Sequence, residues 1–340
     1  MTRYMMRPSR PDDLEALMDL AERSGTGFTS LPVSEELLRT RLSKSSKAFA
    51  GELEQLEYGK YLMMMEDTQT GEVVGCSAVK CGVGIDAPFF NYRIITVAQA
   101  SHAAGKRFDM DALILTNEFV GYTEVGTLFL KTEHRGGGAG RLAAQARYLL
   151  MATAPDRFGE RVLSELRGVT DTEGNTPFWN CLGGHFFKMT FPEADYLSAT
   201  SDNQFILDLM PKYPIYIDLL PEEGRAAIGR CHSDGVGALK LLEWEGFRFE
   251  RTVDIFDGGP MVAADRANIR TIRESQTVRV QPGTPDGSVT GLIATMTVAN
   301  FRCMQLSGEL RENSILILQP DQMELMGFSA GDVARIWIRT

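Results

Sequence analysis

No apolar run in this chain of 340 residues approaches the ~20 residues that cross a bilayer, so no membrane span is expected. The first residues, Met1-Thr2-Arg3-Tyr4-Met5-Met6-Arg7, lack a long apolar segment and a cleavage site, and a signal peptide is not expected either. Cysteine is sparse: Cys76, Cys81, Cys181, Cys231 and Cys303 form an odd set of 5 without metal-type spacing. They read as free thiols in a reducing cytoplasm. The 4 histidines, His102, His134, His185 and His232, are scattered, and no metal site is expected. Positive charge is in deficit, with 35 Lys and Arg against 45 Asp and Glu, and a net charge of -10 argues against nucleic acid as a partner. Hydrophobic content of 44% and charged content of 24% are those of an ordinary globular protein. The length allows two or three modest cores.

What is present is concentrated in one stretch. Leu128-Phe129-Leu130 ends an apolar strand, and Arg135-Gly136-Gly137-Gly138-Ala139-Gly140-Arg141 turns it into a helix. Glycines allow a backbone path close to a ligand, and the helix start offers unpaired N–H groups and a positive dipole end. A diphosphate fits such a turn. A P-loop needs Gly-Lys-Ser or Gly-Lys-Thr where Gly140-Arg141-Leu142 stands. A dinucleotide fingerprint fits only loosely and lacks its second acidic strand. Arg135, Gly138 and Gly140 match Arg-x-x-Gly-x-Gly in full. The turn thereby resembles the acyl-CoA pyrophosphate turn of the GNAT superfamily of N-acyltransferases.

The flanking order agrees. Leu142, Ala143, Ala146, Leu149 and Leu150 give the helix one apolar face, and Pro155 ends it. A strand follows over Arg161–Arg167, then a short helix, a glycine stop and another strand over Pro177–Phe187. Upstream, Tyr4–Arg7 reads as a strand, Ser9 or Asp12 caps a helix, and Ser34–Phe49 is a second helix. Tyr61–Glu66 and Val73–Val83 read as a hairpin, and Asn91-Tyr92-Arg93 falls in a longer loop. Leu113–Asn117 and Thr123–Leu130 are strands leading to the turn. The segment Gly235–Phe249 echoes Trp179–Phe187 and suggests a partial second unit of the same kind. Gln281–Ser288 reads as a linker before four short strands. The expected fold is α+β: a GNAT-like mixed sheet flanked by helices over 1–195, a partial second GNAT-like unit over 196–280, and a small β-rich C-terminal module over 281–340.

Over nearly all of its length the chain resembles the arginine N-succinyltransferases. The likeness rests on Gly25–Pro32, Asn91-Tyr92-Arg93, Thr127–Leu130, Arg167-Gly168-Val169, Pro177-Phe178-Trp179, Leu209–Lys212, Glu245–Arg248, Val253–Pro260 and Phe328–Val333. The glycine turn is richer in glycine than the family's usual charged version, and Ser201-Asp202 stands where a glycine-containing loop is usual. The resemblance implies succinyl transfer from succinyl-CoA to the α-amine of L-arginine, in the cytoplasm, with no permanently bound cofactor. Homo- or hetero-oligomers are possible partners. Ornithine or another basic amino acid as acceptor, or a non-catalytic acyl-CoA-binding subunit, are the alternatives.

By the same resemblance His232 is the proton donor and Leu128 contacts succinyl-CoA. A histidine titrates near neutrality and suits proton transfer; its alternative is a helix-end residue that eases the dipole. Glu124, near the start of the strand before the turn, is a second catalytic candidate, or a solvated strand-end carboxylate. Leu128, Phe129 and Leu130 offer backbone groups to the pantetheine arm, or simply pack in the core. Arg135, Gly136, Gly137, Gly138, Ala139, Gly140 and Arg141 would hold the diphosphate. Asn91 and Arg93 are candidates for substrate binding, and Arg93 is read with equal weight as a member of a surface ion pair. Asp254 and Asp257 are read as shaping the turn at Gly258-Gly259 rather than meeting a guanidinium. Cys231 beside His232 is not expected to be a nucleophile.

Overall fold

The computed structural model describes residues 3–25, 30–31, 33–55, 58–171, 174–201 and 203–339. Most of the Gly25–Pro32 stretch, and Asp202 of the Ser201-Asp202 pair, lie outside the described residues. The strands are β1 Tyr4–Pro8, β2 Lys60–Asp67, β3 Val73–Lys80, β4 Asn91–Ser101, β5 Lys106–Thr116, β6 Thr123–Leu130, β7 Arg161–Glu165 and β8 Ile215–Tyr216. They continue as β9 Arg248–Asp254, β10 Pro260–Asp265, β11 Gln276–Pro282, β12 Val289–Thr295, β13 Cys303–Arg311, β14 Ile315–Leu318 and β15 Val333–Ile338. Among the described residues these strands join in the order β12-β15-β11-β14-β13-β1-β2-β3-β6-β7-β10-β9-β4-β5-β8.

Three long helices cover the centre of the sheet: α1 Leu14–Ser24, α2 Glu35–Ala50 and α3 Ala139–Thr153. Their positions follow from strand alternation, which sends successive side chains to opposite faces. One face carries Met63, Met65, Val79, Val125 and Val162, and α3 packs on it through Leu142, Ala143, Ala146, Leu149 and Leu150. Each leucine so buried contributes about 1.5–3 kcal/mol. The other face carries Leu62, Met64, Cys76 and Phe129 under Leu17, Leu20, Leu38 and Leu42 of α1 and α2. The Ser34 hydroxyl accepts the Leu37 N–H at 3.5 Å and caps α2. Beneath α1, buried Arg7 donates twice to Asp13 at 2.8 Å and once to Glu66 at 2.6 Å. Removing one partner of such a buried pair costs about 3–5 kcal/mol.

The strands of segment 196–280 do not stand apart. β10 pairs with β7 and β9 with β4, so the same sheet runs through them. At the far edge β12 pairs with both β13 and β15, and with β11 and β14 the C-terminal strands close on themselves. Val278, Val280, Ile293, Met304, Leu306, Leu316 and Ile336 fill this module. It hangs on the main sheet through β1, where Met5 faces Met304. Because β11 pairs with β14 and β15, the C-terminal strands begin at Gln276. The Gln281–Ser288 stretch therefore joins two strands of one module.

Two local expectations are corrected. Asn91-Tyr92-Arg93 opens β4, not a loop, because β5 on one side and β9 on the other supply its backbone partners. Trp179–Phe187 is helical throughout, with no strand after the glycines. There the Trp179 ring is stacked on Phe187, with ring centroids 5.2 Å apart. A Cβ on Gly183 would stand 2.4 Å from the Trp179 ring, so this glycine serves close packing instead of ending the helix.

Candidate active site

Three glycines in succession make the cradle. Gly136, Gly137 and Gly138 have φ of 108°, 55° and 94°, in the region that favours glycine. The Ala139 N–H bonds the Gly136 carbonyl at 3.0 Å and the Leu142 N–H the Gly138 carbonyl at 2.9 Å, which starts α3. The amides of the first helical turn have no acceptor within the helix and point out of its N-terminus. They open on a cavity of about 390 Å³ lined by Arg3, Tyr4, His134, Arg135, the three glycines and Gln305. Arg135 is fastened back on the strand: its Nε donates to the Leu130 carbonyl at 3.2 Å and its guanidinium lies 5.9 Å from the centre of the Phe129 ring. Arg141 turns away, its guanidinium 5.7 Å from the centre of the Trp244 ring, and only its main chain belongs to the helix start. Tyr4 and Gln305 come from β1 and β13, and Arg3 directly precedes β1, so sequence distance hid them.

Beside the cradle the sheet opens. β6 runs parallel to β7 with Thr123 facing Val162 and Glu124 facing Leu163, and the register ends there. Thr127 has φ of 52°, an uncommon conformation for a β-branched residue, and the pairing of β6 with β3 slips between Cys76 and Ala78. This bulge bends the outer half of β6 away from β7. The Ser164 hydroxyl fills the base of the gap by donating to the Val125 carbonyl at 2.9 Å. Gly126, Thr127 and half-buried Leu128 line the gap. Phe129 and Leu130 are buried, Phe129 beneath α1 and α2 and Leu130 beneath α3. Under the gap lies Arg147, 3% exposed, whose terminal nitrogen reaches the Gly126 carbonyl at 3.5 Å.

His232 lies at the far lip. Its N–H bonds the Arg167 carbonyl at 2.8 Å, just beyond the end of β7, and Cys231 bridges Gly168. The Asp234 N–H donates to His232 Nδ1 at 3.2 Å. Cys231 is no thiolate: burial first, then the nearby Asp257 carboxylate, push its thiol up to about 11.

The acidic and basic residues sort differently from one another. Glu124 meets Lys80 at 3.4 Å. Arg93 is held by the Glu118 carboxylate, which also accepts the Thr252 hydroxyl at 3.3 Å. Buried Asn91 donates to the Phe89 carbonyl and accepts the Thr116 hydroxyl at 2.6 Å. Both are thus engaged within the sheet. Asp254 accepts the Phe256 and Asp257 N–H groups at 2.7 Å, and Asp257 accepts those of Gly259 and Gly168 at 2.7 Å, so both shape the turn. Sequence reasoning passed over Glu165, the last residue of β7, which stands at the opening. Its neighbours Asp254 and Asp257 arrive from far along the chain, and the only local signal was a carboxylate at the end of an apolar strand. Among the described residues no group of His, Cys, Asp and Glu is arranged to hold a metal ion, and no helix is long and apolar enough to cross a membrane.

A family model described as "Arginine N-succinyltransferase beta subunit" matches residues 4–271. A second, for that subunit's C-terminal domain, matches residues 276–337. The arginine N-succinyltransferase of Salmonella paratyphi B is 40% identical over 334 residues, covering 98% of this chain and 96% of that protein. The enzyme of the same name from Salmonella typhimurium matches equally, at 40% over 98% of this chain and 96% of its own. A solved structure of arginine/ornithine succinyltransferase subunit AI from Pseudomonas aeruginosa superposes with a TM-score of 0.89 at 29% identity, covering 99% of each chain.

Proposed function

The chain belongs to the arginine N-succinyltransferase family, and we propose that it transfers the succinyl group of succinyl-CoA to the α-amine of L-arginine, giving N2-succinyl-L-arginine and CoA. It is an acyltransferase. The observation that carries the reading is the adjacency of cradle and gap: the glycine turn follows directly on the strand that parts from β7. A diphosphate in the cradle sends its pantetheine arm along the outer half of β6, where Thr127 and Leu128 present main-chain groups. The thioester then lies in the gap, within reach of an amine entering from the face opposite α3.

The steps require little beyond placement. Holding thioester and amine together supplies much of the acceleration. The amine lone pair attacks the carbonyl carbon, and the main-chain N–H at Leu128 bonds the oxyanion. As the C–S bond breaks, His232 gives its Nε2 proton to the departing sulfur. Glu124, paired with Lys80 at 3.4 Å, borders the acceptor side of the gap. Steady-state rates with succinyl-CoA and either arginine or ornithine test the acceptor. Arginine is expected to give the higher kcat/KM, and a preference for ornithine would replace the assignment.

A further inference from the structure

We infer that Glu165 is the residue that takes the proton from the acceptor's ammonium group before the amine attacks, an assignment that rests on the amine-acylation reading above. Four observations place it there. Glu165 ends β7, two residues beyond Leu163, which faces Glu124 on β6. Strand alternation therefore puts Glu124, Leu163 and Glu165 on one face, and sends Val162 and Ser164 to the α3 side. On its other flank Glu165 faces Met261 of β10, which faces Thr252 of β9 two residues before Asp254. Finally, no Lys, Arg or His of the described residues forms a salt bridge with Glu165.

The surroundings explain what such a carboxylate lacks. Glu124 faces it from β6, Asp254 from β9 and Asp257 from the turn that follows β9. Asp195, from the helix Phe191–Thr200, adds its charge beside Asp254. Of the cations around Glu124, Lys80 of β3 is bound to it and Arg41 of α2 also feels its charge. Burial of the Glu165 carboxyl, and then Asp254, Glu124 and Asp257, hold it well above the ordinary range, while the Glu165 residue as a whole is exposed to solvent. Such a group of carboxylates on one face of the sheet suits a positively charged acceptor. Glu124 differs from Glu165 in having a cation of its own, the Lys80 ammonium at 3.4 Å.

The proton count closes. Entry of the cationic acceptor favours the ionised form of Glu165, which takes one N–H proton from the ammonium and frees the lone pair. The nitrogen forms its bond to the thioester carbonyl carbon, and collapse re-forms the C=O bond and breaks C–S. Sulfur takes the Nε2 proton of the protonated His232 ring, and the second proton on nitrogen passes to the neutral ring that is left, which restores it. Glu165 releases its proton to solvent. One ammonium and one thioester thus give one amide, one thiol and one proton.

The test is the pH profile of kcat/KM for arginine, with saturating succinyl-CoA, in wild type, Glu165→Gln and Glu165→Asp. Calorimetry with CoA checks that each variant is folded and keeps its cradle. For Glu165→Gln a loss of about 10²–10⁴-fold is expected at pH 7. That loss should shrink as pH rises through the acceptor amine's own pKa, where base assistance is no longer needed. Glu165→Asp, which keeps a carboxylate, should recover part of the rate with a displaced acidic limb. An unchanged rate, or a loss of equal size at every pH, overturns the assignment. Should Glu165→Gln fail to bind CoA, Glu165→Asp decides: a wild-type profile there also overturns it. A wild-type enzyme that releases no thiol with arginine refutes the function itself, a separate result.

Discussion

The main-chain N–H of Asp234 donates to Nδ1 of His232 at 3.2 Å. A ring nitrogen that accepts cannot carry the proton, so the neutral ring is protonated at Nε2 and presents a donor there. The bond lies within the tight turn Ser233–Gly235, and the same turn ties to the end of β7 through the His232 N–H and the Arg167 carbonyl. The orientation of the ring beside the end of β7 is thereby fixed by a turn of three consecutive residues.

Replacing His232 with Ala is expected to lower kcat about 10²–10⁴-fold while leaving CoA affinity within about twofold. Steady-state kinetics with parallel calorimetry read both quantities. A variant with wild-type turnover would remove the residue from the reaction.

Gly136 has φ of 108° and open space around its missing Cβ. An alanine there meets no neighbour, so its cost is the backbone conformation alone, about 1–2 kcal/mol. Relaxation of that strain turns the amides away from the diphosphate. Gly136→Ala is expected to raise KM for the acyl-CoA about tenfold or more, with KM for arginine little changed. Equal effects on both substrates would argue against a cradle.

Gln305 reaches the cradle from the C-terminal module, 3.4 Å from where a Cβ on Gly138 would stand. Its amide can donate to an anion held by the glycines. Gln305→Glu, which exchanges that donor for a negative charge, should weaken CoA binding more than Gln305→Ala does. Titration of CoA into each variant separates them, and equal affinities would show that the module only borders the cavity.

Asp195 is held up to about 6, by burial first and then by the charge of Asp254. An unfolded aspartate titrates near ~3.9. The native state therefore binds the proton more tightly than the unfolded one. Its contribution to stability is full below pH ~4 and is lost as pH rises through the folded value. The neutral amide of Asp195→Asn escapes this loss. The variant is expected to match wild type near pH 4 and to exceed it by on the order of 2–3 kcal/mol above pH 7. Thermal melts across that range check the sign; a variant that is less stable at every pH contradicts it.

Local features of the site were legible, and distant ones were not. The cradle lies within seven consecutive residues, Arg135–Arg141, so its glycine spacing and the apolar strand before it could be read directly. The face of α3 followed from helical periodicity. Arg93 could be read either way, because its partner Glu118 lies 25 residues on and is brought back only by the β4–β5 hairpin. Glu165 showed only as a carboxylate ending an apolar strand, because Asp254 and Asp257 reach it through a strand order, β7-β10-β9, that runs against chain order. Gly183 misled for a different reason: glycine ends helices often, and here it makes room for the Trp179 ring.

We propose that the glycine turn and the neighbouring gap together deliver a CoA thioester to an amine. Following thiol release and N2-succinylarginine formation together, by colorimetry and mass spectrometry, with purified protein, succinyl-CoA and arginine, tests it most directly. The expected result is one thiol per molecule of product and no release without arginine. Thiol release that ignores arginine, or no release with both substrates present, would contradict it.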